Sequence, residues 1–319
     1  MLKNKKILFI GLDYHNYTSE MISVLRDNNF DVTYYSLKPR KLKHKIIQTL
    51  HEKTYNSFVD SYHKGILEKE KNNSYDYVFF LQVHFMKIDI FLKLKKKHTN
   101  SKFILYNWDA IKTHDYSPYI NHFNEVYTFD PADAKDLNVN YLPLFCVSKF
   151  QNLRKIVQNL NSVYFVGNIV SIERYRSIQD FKKLCAANDI SFSYFMKCSP
   201  VIFLKLLLNG FLPFDVRFFN ISNKKFIYLV SNSNTVFDFS NHIQMGHTMR
   251  FIENLCAGKK IITNSKNSIN EDYYSDNRIL YIEKIDSKKI LDFIRTPLQN
   301  EDKDFSEFYV QNFLQKLFN

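Results

Sequence analysis

Asn241–Asn267, NHIQMGHTMRFIENLCAGKKIITNSKN, reads as a loop, a helix and a buried strand in succession. The polar loop covers Ile243–His247. Thr248 is a side-chain N-cap, Phe251, Ile252 and Leu255 recur at helical spacing, and Gly258 ends the helix after Ala257. Lys260–Thr263 follows as a strand. A glycine-bearing loop that feeds a helix start aims backbone N–H groups and the positive dipole end at one spot, which suits a phosphate. Arg250 sits in the first helical turn, where the dipole disfavours a cation, and Glu253 lies one turn on. A bound anion would stabilise the arginine, and the carboxylate could accept both hydroxyls of a ribose. The alternative is an ordinary surface Arg250–Glu253 pair, worth only ~0.3–0.5 kcal/mol.

Upstream, the same alternation of elements fills the chain. Lys5–Gly11, a helical pattern over Thr18–Asn29 and an alternating Asp31–Ser36 make a strand–helix–strand unit. Asp76–Gln82, Lys102–Asn107, Glu125–Phe129 and Tyr141–Phe145 add strands, with a basic helix at Ile88–Lys97 and a lysine-rich helical stretch within Pro39–Asn73. Asn152–Leu160 is a polar connector and the candidate hinge. Val163–Gly167 restarts the pattern, its loop carrying Arg174 and Arg176 into a helix at Ile178–Ala187. Ser191–Met196, Phe226–Val230, Thr235–Phe239 and Ile279–Ile282 read as further strands. The expectation is α/β with two Rossmann-like domains, 1–150 and 151–303, facing a cleft, and a last helix over 304–319. Only Gly11 stands where a dinucleotide fingerprint needs three glycines, so a nicotinamide cofactor is poorly supported.

With 319 residues, 45% hydrophobic and 16% aromatic, the chain has material for two cores, and disordered or fibrous classes are excluded. Lys+Arg 44 against Asp+Glu 32 gives a net charge of +12, which attracts polyanions such as anionic lipid, phosphorylated glycolipid or nucleic acid. Cys146, Cys185, Cys198 and Cys256 lack metal-ligand spacing and read as reduced cytoplasmic thiols. The N-terminus reads as a first strand, not a signal peptide, and no stretch reaches the ~18 apolar residues that span a bilayer. Pro200–Phe219, PVIFLKLLLNGFLPFDVRFF, comes nearest; burial as a helix–turn hairpin is the favoured reading, a helix in the membrane interface the other.

The run QMGHTMRFIENLCAGKKIIT, followed by Asn264, Tyr273 and Tyr274, resembles the nucleotide-sugar segment of GT-B glycosyltransferases, closest to bacterial enzymes of lipopolysaccharide core or surface polysaccharide synthesis and the spore-maturation type. In the first half YNWDAIKTHDY, VYTFDPADAKD and YLPLF are similar in order to the acceptor domain of the same enzymes. The resemblance implies that Glu253 holds the nucleotide ribose and Gly246, His247, Thr248 and Arg250 the diphosphate. It further implies a last helix crossing back to the first domain, and a cytoplasmic enzyme peripheral to the membrane. Its partners would be a nucleotide sugar, a glycolipid acceptor and an anionic membrane surface, with no nucleic acid and no required cofactor.

Glycosyl transfer needs a base for the acceptor hydroxyl and positive charge at the departing diphosphate. Arg174, Arg250 and the helix dipoles suit the second role, with Arg176 a weaker candidate; Gly167 and Asn168, after the first strand of the second half, join them as donor-binding candidates. The only D-x-D spacing, Asp302–Asp304, reads as a solvated turn, so metal-independent chemistry is expected. For the base, Asp13, in the loop after the first strand, comes before Asp109, with His15, His84 and Asp130 behind them. Asp109 has a helix N-cap as its structural alternative and His84 a core histidine. A nucleotide-sugar epimerase, a silent sugar-nucleotide binder and a basic nucleic-acid binder are the alternatives.

Overall fold

Short apolar runs closed by glycine, asparagine or threonine pair side by side in this protein, because a strand covered on both faces must be apolar on both. The computed structural model describes residues 4–14, 16–39, 52–151, 153, 159–239, 245–270, 273–299 and 303–318. The chain divides into two compact units, Met1–Leu144 with Val310–Asn319, and Phe145–Tyr309.

In the first unit β1 (Lys6–Gly11), β2 (Asp31–Ser36), β3 (Tyr77–Leu81), β4 (Lys102–Asn107), β5 (Glu125–Thr128) and β6 (Asn140–Tyr141) form a parallel sheet in the order β2-β1-β3-β4-β5-β6. Helices Tyr17–Asp27, Glu52–Lys69, Ile88–Lys97 and Pro131–Leu137 make the crossovers. All five side chains of β3 are buried. The helix Val310–Phe318 belongs to this unit: Phe318 packs on Phe79 at 5.5 Å between ring centroids, and Phe313 on Tyr106 at 4.7 Å.

The second unit repeats the design with β7 (Ser162–Ile169), β8 (Ser191–Cys198), β9 (Val216–Arg217), β10 (Thr235–Asp238), β11 (Lys260–Thr263) and β12 (Ile279–Tyr281), in the order β12-β11-β10-β7-β8-β9, again all parallel. Its core stacks Phe181 on Phe237 at 4.1 Å. Strand order reverses between β1 and β3 in one sheet and between β7 and β10 in the other. Such a switch point opens a crevice at the carboxyl ends of the strands, where ligands bind in open α/β sheets.

Several expectations need correction. Phe226–Val230 lies in the helix Asn223–Ser231, since Ser222 Oγ caps it by accepting from the Lys225 N–H at 3.3 Å and only one side is buried. Of Tyr141–Phe145 only Tyr141 is in a strand, although Leu142, Leu144 and Phe145 are buried. Arg174 and Arg176 lie inside the helix Ile172–Ala186, which starts early because Ser171 caps it. Pro200–Phe219 is not wholly buried: Leu206 and Val216 are, and Ile202, Phe203 and Phe211 pack against the core, but Val201, Leu204, Leu208, Leu212, Phe214 and Phe219 face solvent. A helix that is apolar all round, laid on one sheet, cannot bury both of its sides. Residues 152 and 154–158 of the connector, His15, residues 241–244 and Asp302 lie outside the described residues.

Two adjacent lysines at the start of β11 are buried. Lys260 Nζ donates to the Thr296 carbonyl at 2.5 Å and to that of Phe293, closing the C-terminus of the helix Ser287–Arg295. Lys259 Nζ has no hydrogen-bond partner among the described residues, and burial lowers its pKa from 10.5 to about 8. A base whose folded pKa is depressed binds fewer protons folded than unfolded between those two values, so its penalty is complete below about pH 8 and vanishes as pH rises through 10.5. Lys259→Met is therefore expected to stabilise the protein by on the order of 2–3 kcal/mol at pH 7, with the gain fading towards pH 10.5, as read by denaturant unfolding across that range. An equal gain at every pH would detach the effect from protonation.

Candidate functional site

At the switch point of the second unit two helices begin beside two strand ends. The helix Met249–Cys256 starts after Thr248, whose Oγ1 accepts from the Phe251 N–H at 3.1 Å. The helix Ile172–Ala186 starts after Ser171, whose Oγ accepts from the Arg174 N–H at 3.2 Å. Each therefore carries an arginine in its first turn, against its own dipole.

The two guanidinium groups converge. A Cβ on Gly167, near the end of β7, would stand 3.1 Å from Arg174 Nη2 and 3.4 Å from Arg250 Nη1. Both lie over the Phe165 ring, at 5.8 and 5.9 Å from its centroid. The carboxylate among them is Asp238, last residue of β10 and 1% exposed. Its Oδ1 accepts from Arg250 Nη1 at 3.2 Å and its Oδ2 from Thr248 Oγ1 at 3.2 Å. Burial first, and then the Arg250 charge, bring the Arg174 pKa down to about 10, with Asp238 opposing. Arg174 Nε has no partner among the described residues. Two cations and two positive helix ends around one carboxylate leave a local excess of positive charge that would suit an anion.

Arg250 pairs with Asp238, and the alternative of a surface Arg250–Glu253 pair does not hold, for Glu253 is 1% exposed. Next to it Asn254 accepts from the Tyr164 hydroxyl at 2.8 Å and donates to the Arg250 carbonyl at 2.8 Å, tying the helix to β7. His247 is buried with its ring stacked on Phe251 at 4.1 Å, and Gly246 is buried beside it in sequence. Thus Gly167, Arg174, Thr248 and Arg250 are brought together. Asn168 is exposed, level with Lys197 on β8, and Arg176 faces the Phe211 ring at 5.9 Å. Asp238 is the residue that sequence reading missed; its signal was an acid closing the otherwise apolar run Thr235–Asp238.

The first unit presents a second polar group at its own strand ends. Asp13 is exposed after β1, and Tyr14 beside it meets Trp108 edge-on at 5.9 Å, so the loops carrying Asp13 and Asp109 are neighbours. Asp109 begins no helix among the described elements; it accepts from Gln82 Nε2, and its charge opposes the burial that lowers the Lys38 pKa. His84 stacks on His114 at 3.7 Å and is pushed down to about 3, by burial first and then by the His114 and Lys38 charges. Such a ring stays neutral at pH 7. Asp130 caps the helix Pro131–Leu137, accepting from the Ala132 N–H at 2.9 Å.

No known family profile matches the chain, and no curated protein matches it in sequence. Solved structures do match in three dimensions. An α-glucosyltransferase in complex with UDP and a 13-mer DNA superposes with a TM-score of 0.62 at 10% identity, over 98% of this chain and 96% of that one. Sucrose-phosphate synthase from Thermosynechococcus elongatus gives 0.57 at 10% identity, over 99% and 95%. The Anabaena protein HepE in complex with UDP gives 0.53 at 10% identity, over 98% of each chain. The fold is GT-B. The likeness runs through both units, and at such identity it speaks for the fold alone.

Replacing Arg174 by methionine removes a desolvated cation from beside another. In anion-free buffer Arg174→Met is expected to unfold at higher denaturant, by ~1–3 kcal/mol, as exchanges of buried ions for apolar side chains often do. Loss of stability would instead make Arg174 a structural arginine.

Proposed function

We propose that the chain is a glycosyltransferase that takes a hexosyl or deoxyhexosyl group from a nucleoside-diphosphate sugar and passes it to lipopolysaccharide core or a related surface glycan. The observation that carries this reading is the pair of guanidinium groups that converge beside Asp238 at the β7/β10 switch point, each at the start of a helix and only Arg250 bonded to the acid. UDP in two of the structural neighbours supports a uridine nucleotide as the first to test.

In the reaction the bond from the anomeric carbon to the diphosphate breaks while the acceptor oxygen forms a new bond to that carbon and loses its proton to a base. Charge accumulates on the leaving diphosphate. Arg174 and Arg250, with the N–H groups at the start of the helix Met249–Cys256, are placed to receive it, which makes a metal-independent departure feasible. The buried Glu253 lies one turn further along that helix, and we assign it to the ribose hydroxyls. Gly246 and His247 would close over the phosphates, and Asn168 would border them.

For the base we keep Asp13 ahead of Asp109. The exposed Asp13 is reachable by an acceptor, and Asp109 lies in the neighbouring loop with Gln82 bonded to it. The acceptor reading places the enzyme at the inner face of the cytoplasmic membrane, consistent with a net charge of +12. Among the described residues no helix is long and apolar enough to cross a membrane.

A thermal-unfolding panel of UDP, dTDP, GDP, ADP and CMP tests the donor site. At about a hundred times its dissociation constant one diphosphate is expected to add ~2.7 kcal/mol, a rise of several degrees, and the rise disappears in Glu253→Ala and Arg250→Ala. If none of the five moves the wild-type transition, the donor assignment falls.

A further inference from the structure

The helix Pro200–Leu208 and the segment after it form the crossover from β8 to β9, and their apolar side chains point two ways. Leu206, Ile202, Phe203 and Phe211 face the core. Val201, Leu204 and Leu208, at i, i+3 and i+7, form an outward stripe, with Leu208 78% exposed. Beyond it Leu212, Phe214 and Phe219 are 71%, 75% and 80% exposed. Outward leucines and phenylalanines so concentrated differ from the scattered single apolar residues normal on a surface.

Local ties hold the pieces together. Phe203 on the helix meets Phe218 beyond β9 at 5.4 Å, and the Phe211 N–H donates to the Leu206 carbonyl at 3.1 Å. Arg217 Nη1 donates to the carbonyls of Phe214 and Val216, at 3.2 and 2.9 Å, and so fixes the turn that displays Phe214.

Along this stretch of sequence the charge is almost all of one sign. From Ser191 to Asn234 the basic residues are Lys197, Lys205, Arg217, Lys224 and Lys225, and Asp215 is the only acid. Asp215 is turned away: despite burial, which pulls it up, hydrogen bonds from Gln179 and Lys182 hold its carboxyl below the usual range, and Tyr175 donates to it as well. Lys205, Arg217, Lys224 and Lys225 are exposed. An exposed apolar stretch that carries exposed lysine and arginine, and whose one acid is engaged, is complementary to an anionic bilayer, whose headgroups attract cations and whose acyl boundary accepts leucine and phenylalanine.

We propose that Pro200–Phe219 is a membrane-docking element that lies in the headgroup layer of an anionic bilayer and inserts Leu204, Leu208, Leu212, Phe214 and Phe219. It rests on the reading of a membrane-borne acceptor for its purpose, but its geometry is independent of the donor site. Docking by the second unit keeps the enzyme at the surface from which a glycolipid would be drawn.

The test is co-sedimentation of the full chain with vesicles of phosphatidylcholine, with and without phosphatidylglycerol. The wild type is expected to partition onto the mixed vesicles and weakly onto phosphatidylcholine alone. L204S/L208S/F214S/F219S lowers the partition coefficient by more than about tenfold, since binding scales with inserted apolar area. K205Q/K224Q lowers it by about fivefold per charge at low salt, which keeps the proposal open to refutation should the serine variant misfold. The UDP-induced thermal shift is measured on both variants, and its retention shows that they are folded and separates docking from donor binding. A wild type that ignores the mixed vesicles, or a folded serine variant that binds them equally, overturns the proposal and leaves the donor reading intact. Self-association by light scattering that the serine variant abolishes, without vesicle binding, overturns it too and gives this face to a second copy of the chain. Vesicle binding as expected with no nucleotide shift in any protein would sustain docking while the donor reading fails.

Discussion

One carboxylate, Asp238, is divided between the hydroxyl that caps a helix and the guanidinium that follows it, and the functional region of the second unit depends on that division. Its Thr248 contact fixes the start of the helix Met249–Cys256; its Arg250 contact keeps that side chain against Gly167 and Phe165. Arg174 arrives at the same place from another helix and finds the acid already engaged. A buried pair in balance would be electrostatically quiet, whereas three charges of which two are alike leave a site that an anion improves. The absence of a Cβ on Gly167 makes the convergence sterically feasible, for a methyl group there would also come within 2.8 Å of the Phe165 ring.

The parallel sheets were legible because both their faces are covered. Runs such as Tyr77–Leu81 and Lys260–Thr263 are apolar without alternation, and the loops and helices between them have the length that parallel crossovers require. Helix starts were legible where a hydroxyl stands before the periodic run, as at Thr248. The failures share one physical cause, that hydrophobicity reports a need for burial without reporting direction. Phe226–Val230 is five residues long, too short for a period of two and one of 3.6 to be told apart, and the Ser222 cap decided for helix. Pro200–Phe219 was apolar enough to be core, but its sheet offers one face at that position, and half of its side chains were left outside.

The site was less legible than the fold, since a site is a set of distances and a single sequence holds none. Arg250 could be singled out because it sits against a dipole, a conflict visible along the chain. Asp238 could not, for an acid at a strand end becomes significant only when Thr248 and Arg250 fold back onto it across ten and twelve positions. The same holds in the first unit, where Lys38, Gln82, His84, Asp109 and His114 come from three separate loops. Among its carboxylates the environments differ in a useful way. Asp130 caps a helix and Asp109 accepts from Gln82.

Buried cations cost this fold stability, and two of them, Lys259 and Arg174, differ in their surroundings. Lys259 and Arg174 each leave a nitrogen without a partner among the described residues, and burial depresses the pKa of both. Burial alone lowers the Lys259 pKa, and Lys259 closely follows a helix end whose negative dipole tolerates a cation. Arg174 is depressed by a second arginine as well, sits where the dipole is positive, and lies at the crevice between reversing strands. Burial, the Arg250 charge and the positive helix start all disfavour the Arg174 charge, and Asp238 opposes them. Charge, dipole and position at the switch point together leave a local excess of positive charge that a bound anion would relieve.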